Sequence, residues 1–397
     1  MDGWPVDRAG LGGDWRVVDG VVTAWFDAPT LSAGAALAGR VLGESPGALV
    51  DLRATGARVR LDSPGRAGAV TEAARELGLS ADPAALQHVG VVLESPDPAA
   101  VRPFWQRALD YAPLAGGLAD PLRRDPALLL RAADEPRPLR NRVHLDVVRP
   151  EGVVEREGLG EATGPFGVRH TDADGNEVDL VPGGALEGTA DTADWAGVFS
   201  AMACYRVSST TQQLDVASAA AALADDAGFP LLVDLRPGLV VLDSGKDRWE
   251  ADAHGLGLEF TDLAGAIQAA AREHGAAADP ALPRFVQLFL DAADVPALRA
   301  FWSAALGYAP DRRDWVTDLD DPRRLNPVLS FQEIDRSETE RRRQRNRLHM
   351  ELAVPPDAAH ARLATITAAG GRLLDEAPGR WRIADPELNE LVLTSAT

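Results

Sequence analysis

Cys204 is the only cysteine among 397 residues. No intrachain disulfide can form, which excludes the stapled folds of small secreted proteins and leaves the cytoplasm as the expected compartment. Lys246 is the only lysine, and the basic residues (40 Lys+Arg) fall short of the acidic ones (60), for a formal net charge of −20. A surplus of that sign disfavours nucleic acid and anionic membrane surfaces as partners. No apolar run approaches the ~18 residues that a spanning helix needs, and no signal-peptide pattern is present. There is no Walker loop, dinucleotide fingerprint, Gly-x-Ser-x-Gly elbow or paired-cysteine zinc motif, which argues against nucleotide-driven and serine-hydrolase chemistry. The hydrophobic content of 46% is ordinary and allows a sizeable core. Alanine richness with near-absence of lysine reads as a GC-rich bacterial genome.

What is present is a repeated phrase. Arg140-Asn141-Arg142-Val143-His144-Leu145-Asp146-Val147 returns as Arg345-Asn346-Arg347-Leu348-His349-Met350-Glu351-Leu352. Each copy runs from a basic loop into an alternating segment that reads as a β-strand, so the histidine shares a face with Asp146 or Glu351. Other matches extend the repeat. Phe104-Trp105 and Phe301-Trp302 lie 197 residues apart, and Val50-Asp51-Leu52-Arg53 recurs 183 residues later as Val233-Asp234-Leu235-Arg236. The chain therefore reads as two halves, residues 1–190 and 195–397. So long a period means duplicated domains and not a solenoid.

Within the first half, Asp19-Gly20 between two apolar runs predicts a β-hairpin. Residues 31–42 predict a helix stopped by Gly43. Two strands follow, over 48–52 and 57–61, then a helix over 66–77 closed by Gly78. The second half repeats this with a helix over 214–226 and a longer hairpin through Asp243–Asp247. Next come an alternating strand, Leu86–Leu93, and a helix capped by Asp97 with Pro98 at its first position. Val101, Phe104, Trp105, Ala108 and Leu109 of that helix recur at helical spacing, as core residues do. Short strands, the His144 strand, a turn at Asp172–Gly175 and a last strand, Asn176–Leu180, complete the half. A full helix over 357–368 in the second half is reduced to 151–155 in the first.

Residues 14–79 resemble the pterin-4a-carbinolamine dehydratase fold. That family's His-His-Pro motif is replaced by Gly43-Glu44-Ser45-Pro46, and in the second copy by Gly228-Phe229-Pro230. Dehydration needs a proton-transfer group there, so a structural or dimerising module is expected instead of dehydratase activity. Residues 86–183 resemble the vicinal oxygen chelate superfamily, the glyoxalase and bleomycin-resistance group, in its actinobacterial glyoxalase-like branch. The resemblance rests on a strand, a Phe-Trp helix, paired βαβββ modules and a closing Asp-x-Asp-Gly-Asn turn. Residues 283–395 match the same pattern. The expected fold is α+β, with dehydratase-like modules at 1–83 and 195–280, vicinal oxygen chelate domains at 84–190 and 281–397, and an internal pseudo-two-fold axis.

The resemblance implies a metal held by His88, His144 and Asp179, with Glu177 on the same face as Asp179. Two imidazoles and a carboxylate would suit an open Fe, Mn, Zn or Ni site. A metal-free polar pocket, common in the glyoxalase-like branch, is the competing reading, and a structural role a third. In the second half Phe285 and Val392 replace His88 and Asp179, so no metal is expected there. Arg131, Arg142, His349, Gln332 and Trp315 are candidate substrate contacts. The basic run Arg336–Arg345 reads as a solvated loop or as a lid over an anionic ligand. The functional expectation is a small-molecule enzyme of bacterial secondary metabolism, of isomerase, cyclase, lyase or oxygenase type. The alternative is a metal-free binding protein of the bleomycin-resistance kind, conferring self-resistance. The chain is expected to be a monomer with an internal pseudo-dimer, or a homodimer.

Overall fold

The computed structural model describes residues 11–186 and 190–395. Asp19 and Gly20 both take positive φ, 48° and 72°. This is the two-residue turn whose twist suits the flanking strands Arg16–Val18 and Val21–Asp27. Thr30 caps the helix Leu31–Glu44 through the Ala33 N–H; the helix continues one residue past Gly43, the expected stop. Strands Leu49–Arg53 and Gly56–Leu61 and helix Ala67–Glu76 complete a plate, closed by Gly78 at φ 73°. A second plate repeats it with Ala201–Arg206, Thr210–Ala227, Leu232–Arg236, Leu239–Asp243 and Phe260–Glu273. The extra residues of this copy do not lengthen its hairpin, because Arg236 pairs directly with Leu239. They form instead a loop and the short helix Ala251–His254 after the second strand of the pair.

The plates join edge to edge. Leu49–Arg53 pairs antiparallel with Leu232–Arg236, and Asp51 faces Asp234 at the centre of the register. Helices of both plates cover one face of the continuous sheet. Leu37, Val41, Val50, Leu52, Val233 and Leu235 are fully buried there, each contributing roughly 1.5–3 kcal/mol. Alternation sends the polar residues to the opposite face. Arg58 and Arg236 meet Asp51 at 2.6 and 2.5 Å, while Arg53 and Arg124 meet Asp234 at 2.7 and 2.6 Å. Burial alone would raise the Asp51 carboxyl; Arg236 and Arg58 override it and hold the group well below the usual carboxylate range.

The remaining residues form one separate sheet and one that continues the plate sheet through Glu177–Ala185 and Ala196–Gly197, and neither belongs to one half. In the first, here the His88 sheet, His88–Ser95 pairs antiparallel with Leu348–Val354. It contains the first module of the first half and the second module of the second half. In the other, the His144 sheet, Val143–Pro150 pairs antiparallel with Phe285–Ala292, uniting the two complementary modules. The expected domains at 84–190 and 281–397 therefore do not close on themselves. Their modules are exchanged across the pseudo-two-fold axis. One core lies between the two sheets, built on Trp105, Trp302, Leu93, Leu145, Leu288 and Leu352.

The repeated phrase lies where the exchange happens. Asn141 Oδ1 accepts the Arg347 N–H at 2.9 Å, and Asn346 Oδ1 accepts the Arg142 N–H at 3.0 Å. The two amides also donate to Asn176 at 2.8 Å and Asn389 at 2.9 Å, in the closing turns. Those turns are organised by Asp172 and Asp385, which accept the indole N–H groups of Trp105 and Trp302 at 2.8 and 3.0 Å. The Phe-Trp helix, the Asn-Arg loop and the closing turns are thus parts of one buried network in which the asparagine amides and both indoles find acceptors, as burial requires.

Candidate metal centre

Strand alternation puts His144 and Asp146 on one face of Val143–Pro150. The neighbouring parallel strand, Glu177–Ala185, brings Asp179 level with Asp146. Each of His144, Asp146 and Asp179 offers a ligand atom, and the three atoms lie within 4.8 Å of one another. On the other side the partner strand comes from the second half. Phe289 lies opposite His144 and stacks on it at 5.2 Å and 16°, and Gln287 lies opposite Asp146. Gln287 donates to Asp146 Oδ2 at 2.8 Å. Behind it Ser330 donates to Asp318 at 2.6 Å, and Asp318 pairs with Lys246. The one lysine of the chain therefore reaches this sheet from the loop peculiar to the second plate.

The electrostatics are those of a dry site with acidic groups in excess. His144 is 4% exposed; burial lowers its imidazole to about 4, against the opposing pull of Asp291. Burial, assisted by Asp179, raises the Asp146 carboxyl to about 7 although the Gln287 hydrogen bond works the other way. Burial also raises Asp179, against the Arg169 guanidinium 3.7 Å away. His144 Nε2 is 3.5 Å from Asp146 Oδ1, too far for a hydrogen bond. Asp146 Oδ1 and Asp179 Oδ1 are buried without any hydrogen-bond partner. Two orphaned carboxylate oxygens beside an imidazole nitrogen fit a divalent cation, which would satisfy atoms that burial otherwise penalises. Glu177, one step along the same face, is bridged by Arg140 at 2.8 Å and Arg169 at 3.4 Å.

His88 is not part of this cluster. It lies on the other sheet, opposite Ala353, with Nε2 3.5 Å from Asp19. Convergence of His88 with His144 and Asp179 presumed that residues 84–190 close as a unit, and module exchange separates them. His349 occupies on the His88 sheet the place His144 holds on its own. Val392 lies level with Glu351, as Asp179 does with Asp146. His349 Nδ1 is buried without a partner, and burial lowers its imidazole to about 4 despite Glu94.

The candidate substrate contacts are dispersed. Arg142 is fully buried and donates to the carbonyls of Glu387 and Gln344, so it belongs to the crossing and not to a ligand. Arg131 pairs with Glu351 at 2.8 Å on the His88 sheet. Gln332 donates to Asp291 at the margin of the His144 sheet. Trp315 is 73% exposed and lines neither cluster. Nor is the basic run a free lid: Arg341 is buried in an ion pair with Asp291, and Arg345 joins Glu94 and Glu390. Gln287, Ser330 and Lys246 are not among the sequence candidates, because each enters from the half in which no metal is expected. The signal for Asp146 was visible in its i, i+2 relation to His144.

A model of the glyoxalase-like domain matches residues 90–181 and 287–394, just over half of the chain. No curated protein matches. Among solved structures, glyoxalase I from Zea mays is similar at 10% identity and TM-score 0.37, over 78% of this chain and 92% of that one. The cppA protein from Streptococcus pneumoniae TIGR4 is similar at 10% identity and TM-score 0.32, over 78% and 97%. A fosfomycin resistance protein, FosX, from Listeria monocytogenes, in complex with Mn(II), is similar at 13% identity and TM-score 0.23, over 28% and 86%. At these scores the three are likenesses only.

Proposed function

The chain belongs to the glyoxalase-like domain family, and on that footing we propose that it is a metal-dependent enzyme acting on a small molecule at the His144 sheet. His144, Asp146 and Asp179 would hold a divalent ion such as Fe, Mn, Zn or Ni. The observation that carries this reading is the pair of orphaned oxygens, Asp146 Oδ1 and Asp179 Oδ1, gathered with an imidazole from adjacent strands. A bound ion would act as a Lewis acid on a substrate oxygen, the chemistry that isomerases, cyclases, lyases and oxygenases of this kind share. Gln287 orients Asp146, and Phe289 fixes the plane of the His144 ring. Glu177, held by Arg140 and Arg169 beside Asp179, is the proposed proton-transfer group. Bacterial secondary metabolism is the proposed setting, on the family resemblance alone. Both plates are read as dehydratase-like in fold and structural in role.

The test is metal content of untagged protein after exposure to Mn(II) and dialysis. About one ion per chain is expected in the wild type and in His88→Ala, and none in His144→Ala. Retention by His144→Ala, or loss in His88→Ala, would overturn the assignment. A wild type that takes up no metal would leave the reading of the bleomycin-resistance kind, a protein that sequesters its ligand unchanged.

A further inference from the structure

The junction of the first plate with the His88 sheet encloses a cavity of about 140 Å³ that the metal centre does not use. We propose that it binds a small anionic metabolite carrying one carboxylate or phosphate group. Its walls come from the plate strands, from the start of the His88 strand and from the Asp321–Asn326 loop of the second half. Four guanidinium groups line it: Arg58, Arg60, Arg123 and Arg323.

The buried acids in the same walls are already engaged, and the half-exposed Asp19 faces His88. Asp120 and Asp125 pair with Arg284, and Asp321 accepts from the Leu325 N–H and from Asn326. Cationic donors remain. Arg58, 6% exposed, uses its Nε on Asp51. Arg60 Nε is buried without a partner. The Arg123 side chain makes no hydrogen bond or ion pair among the described residues. Arg323 lies over the Trp25 ring at 5.2 Å and gives one Nη to Asp82 at 3.2 Å; the rest of its planar fork suits carboxylate or phosphate. Two further buried atoms have no hydrogen bond, Gln87 Oε1 and His88 Nε2, the latter 3.5 Å from Asp19. They would meet polar groups at the other end of the ligand. A hollow of this size compares with cavities of about 150 Å³ that admit benzene, which limits the ligand to a small metabolite. Asp19 and Arg323, 49% and 31% exposed, stand at the mouth.

The pseudo-two-fold supplies a control within the molecule. By register and repeat, Met202, Cys204, Val241, Phe285 and Leu122 stand where the first junction has Thr23, Trp25, Arg58, His88 and Arg323. Those five side chains pack together in an apolar cluster. At these five positions one junction is apolar while its twin keeps a polar hollow; the counterpart of Arg60, Asp243, is paired with Arg124 at 2.9 Å.

Isothermal titration of the metal-free full-length protein with inorganic phosphate and with pyruvate tests the site. Two variants are needed. His88→Phe installs the residue of the sealed twin. Arg123→Asn removes the partnerless guanidinium and suits a backbone φ of 52°. Saturable binding of at least one probe is expected, weakened about tenfold or more by each variant, with unchanged circular dichroism. Binding of phosphate alone would identify a phosphate ester as the ligand class, and of pyruvate alone a carboxylate. Failure of both probes to bind the wild type below about 10 mM, or wild-type affinity in either variant, would overturn the proposal. The metal-content assay is read separately, so failure here leaves the His144 site standing, and the reverse.

Discussion

Replacing Asn141 with alanine should weaken the fold far more than a polar surface change. The side chain is 3% exposed and makes two buried hydrogen bonds, accepting from the Arg347 N–H at 2.9 Å and donating to Asn176 at 2.8 Å. Each is worth about 1 kcal/mol net, and the Arg347 N–H left without an acceptor costs a further ~1–3 kcal/mol. The sum is about 3–5 kcal/mol. With a urea m-value of about 3 kcal/mol/M, the first unfolding midpoint would fall by about 1–1.7 M. Asn346→Ala should do the same, since its contacts are the mirror of these at 3.0 and 2.9 Å. The two residues serve one crossing, so the double variant should lose less than the sum of the singles. A loss below about 0.5 kcal/mol in either single variant, the range of ordinary surface substitutions, would refute the view that this crossing ties the halves together.

Other expectations follow from the same contacts. The Asp146 carboxyl titrates at about 7 when folded against ~3.9 unfolded. The folded state then holds a proton that the unfolded state has lost, and its stability falls as pH rises from 4 through 7. In metal-free protein, Asp146→Asn should therefore be more stable than wild type by about 2–4 kcal/mol at pH 8 and no more stable at pH 4, as urea melts at both pH values would register. For the same reason Mn(II) affinity should climb between pH 6 and 8, because the cation must displace that proton; a flat profile in a competition titration would count against Asp146 as a ligand. Trp105→Phe and Trp302→Phe should each lower stability by about 1–2 kcal/mol, leaving Asp172 or Asp385 short of a donor. Asp51→Ala strands Arg236 and Arg58 in a buried interface. It should cost about 3–5 kcal/mol, with loss of the cooperative transition as the extreme outcome and no change as the contrary one.

Much of the architecture could be read from residues alone. The plates, the first hairpin, the cap of the Phe-Trp helix, the strand carrying His144 and the duplication itself all follow from local signals: Asp19-Gly20, Asp97-Pro98, and a phrase repeated at fixed spacing. The partner of each strand could not be read this way. Val143–Pro150 has the same alternating pattern whether it pairs with His88–Ser95 or with Phe285–Ala292, because both are half-apolar strands of equal length. The reciprocal bonds of Asn141 and Asn346 link the halves at the crossing. Asp179 and His144 lie on paired strands of one module, while His88 stands on the other sheet and Gln287 comes from the other half.

Module exchange within one polypeptide also changes how such a protein can diverge. In a homodimer every substitution appears twice, and both active centres drift in step. Here each centre is assembled from strands encoded at separate places, so a mutation in one copy of the repeat touches one centre only. The chain can lose an arginine cavity at one junction, or an acid at one sheet, and keep its counterpart at work. A duplicated chain of this kind is a scaffold with independently editable positions.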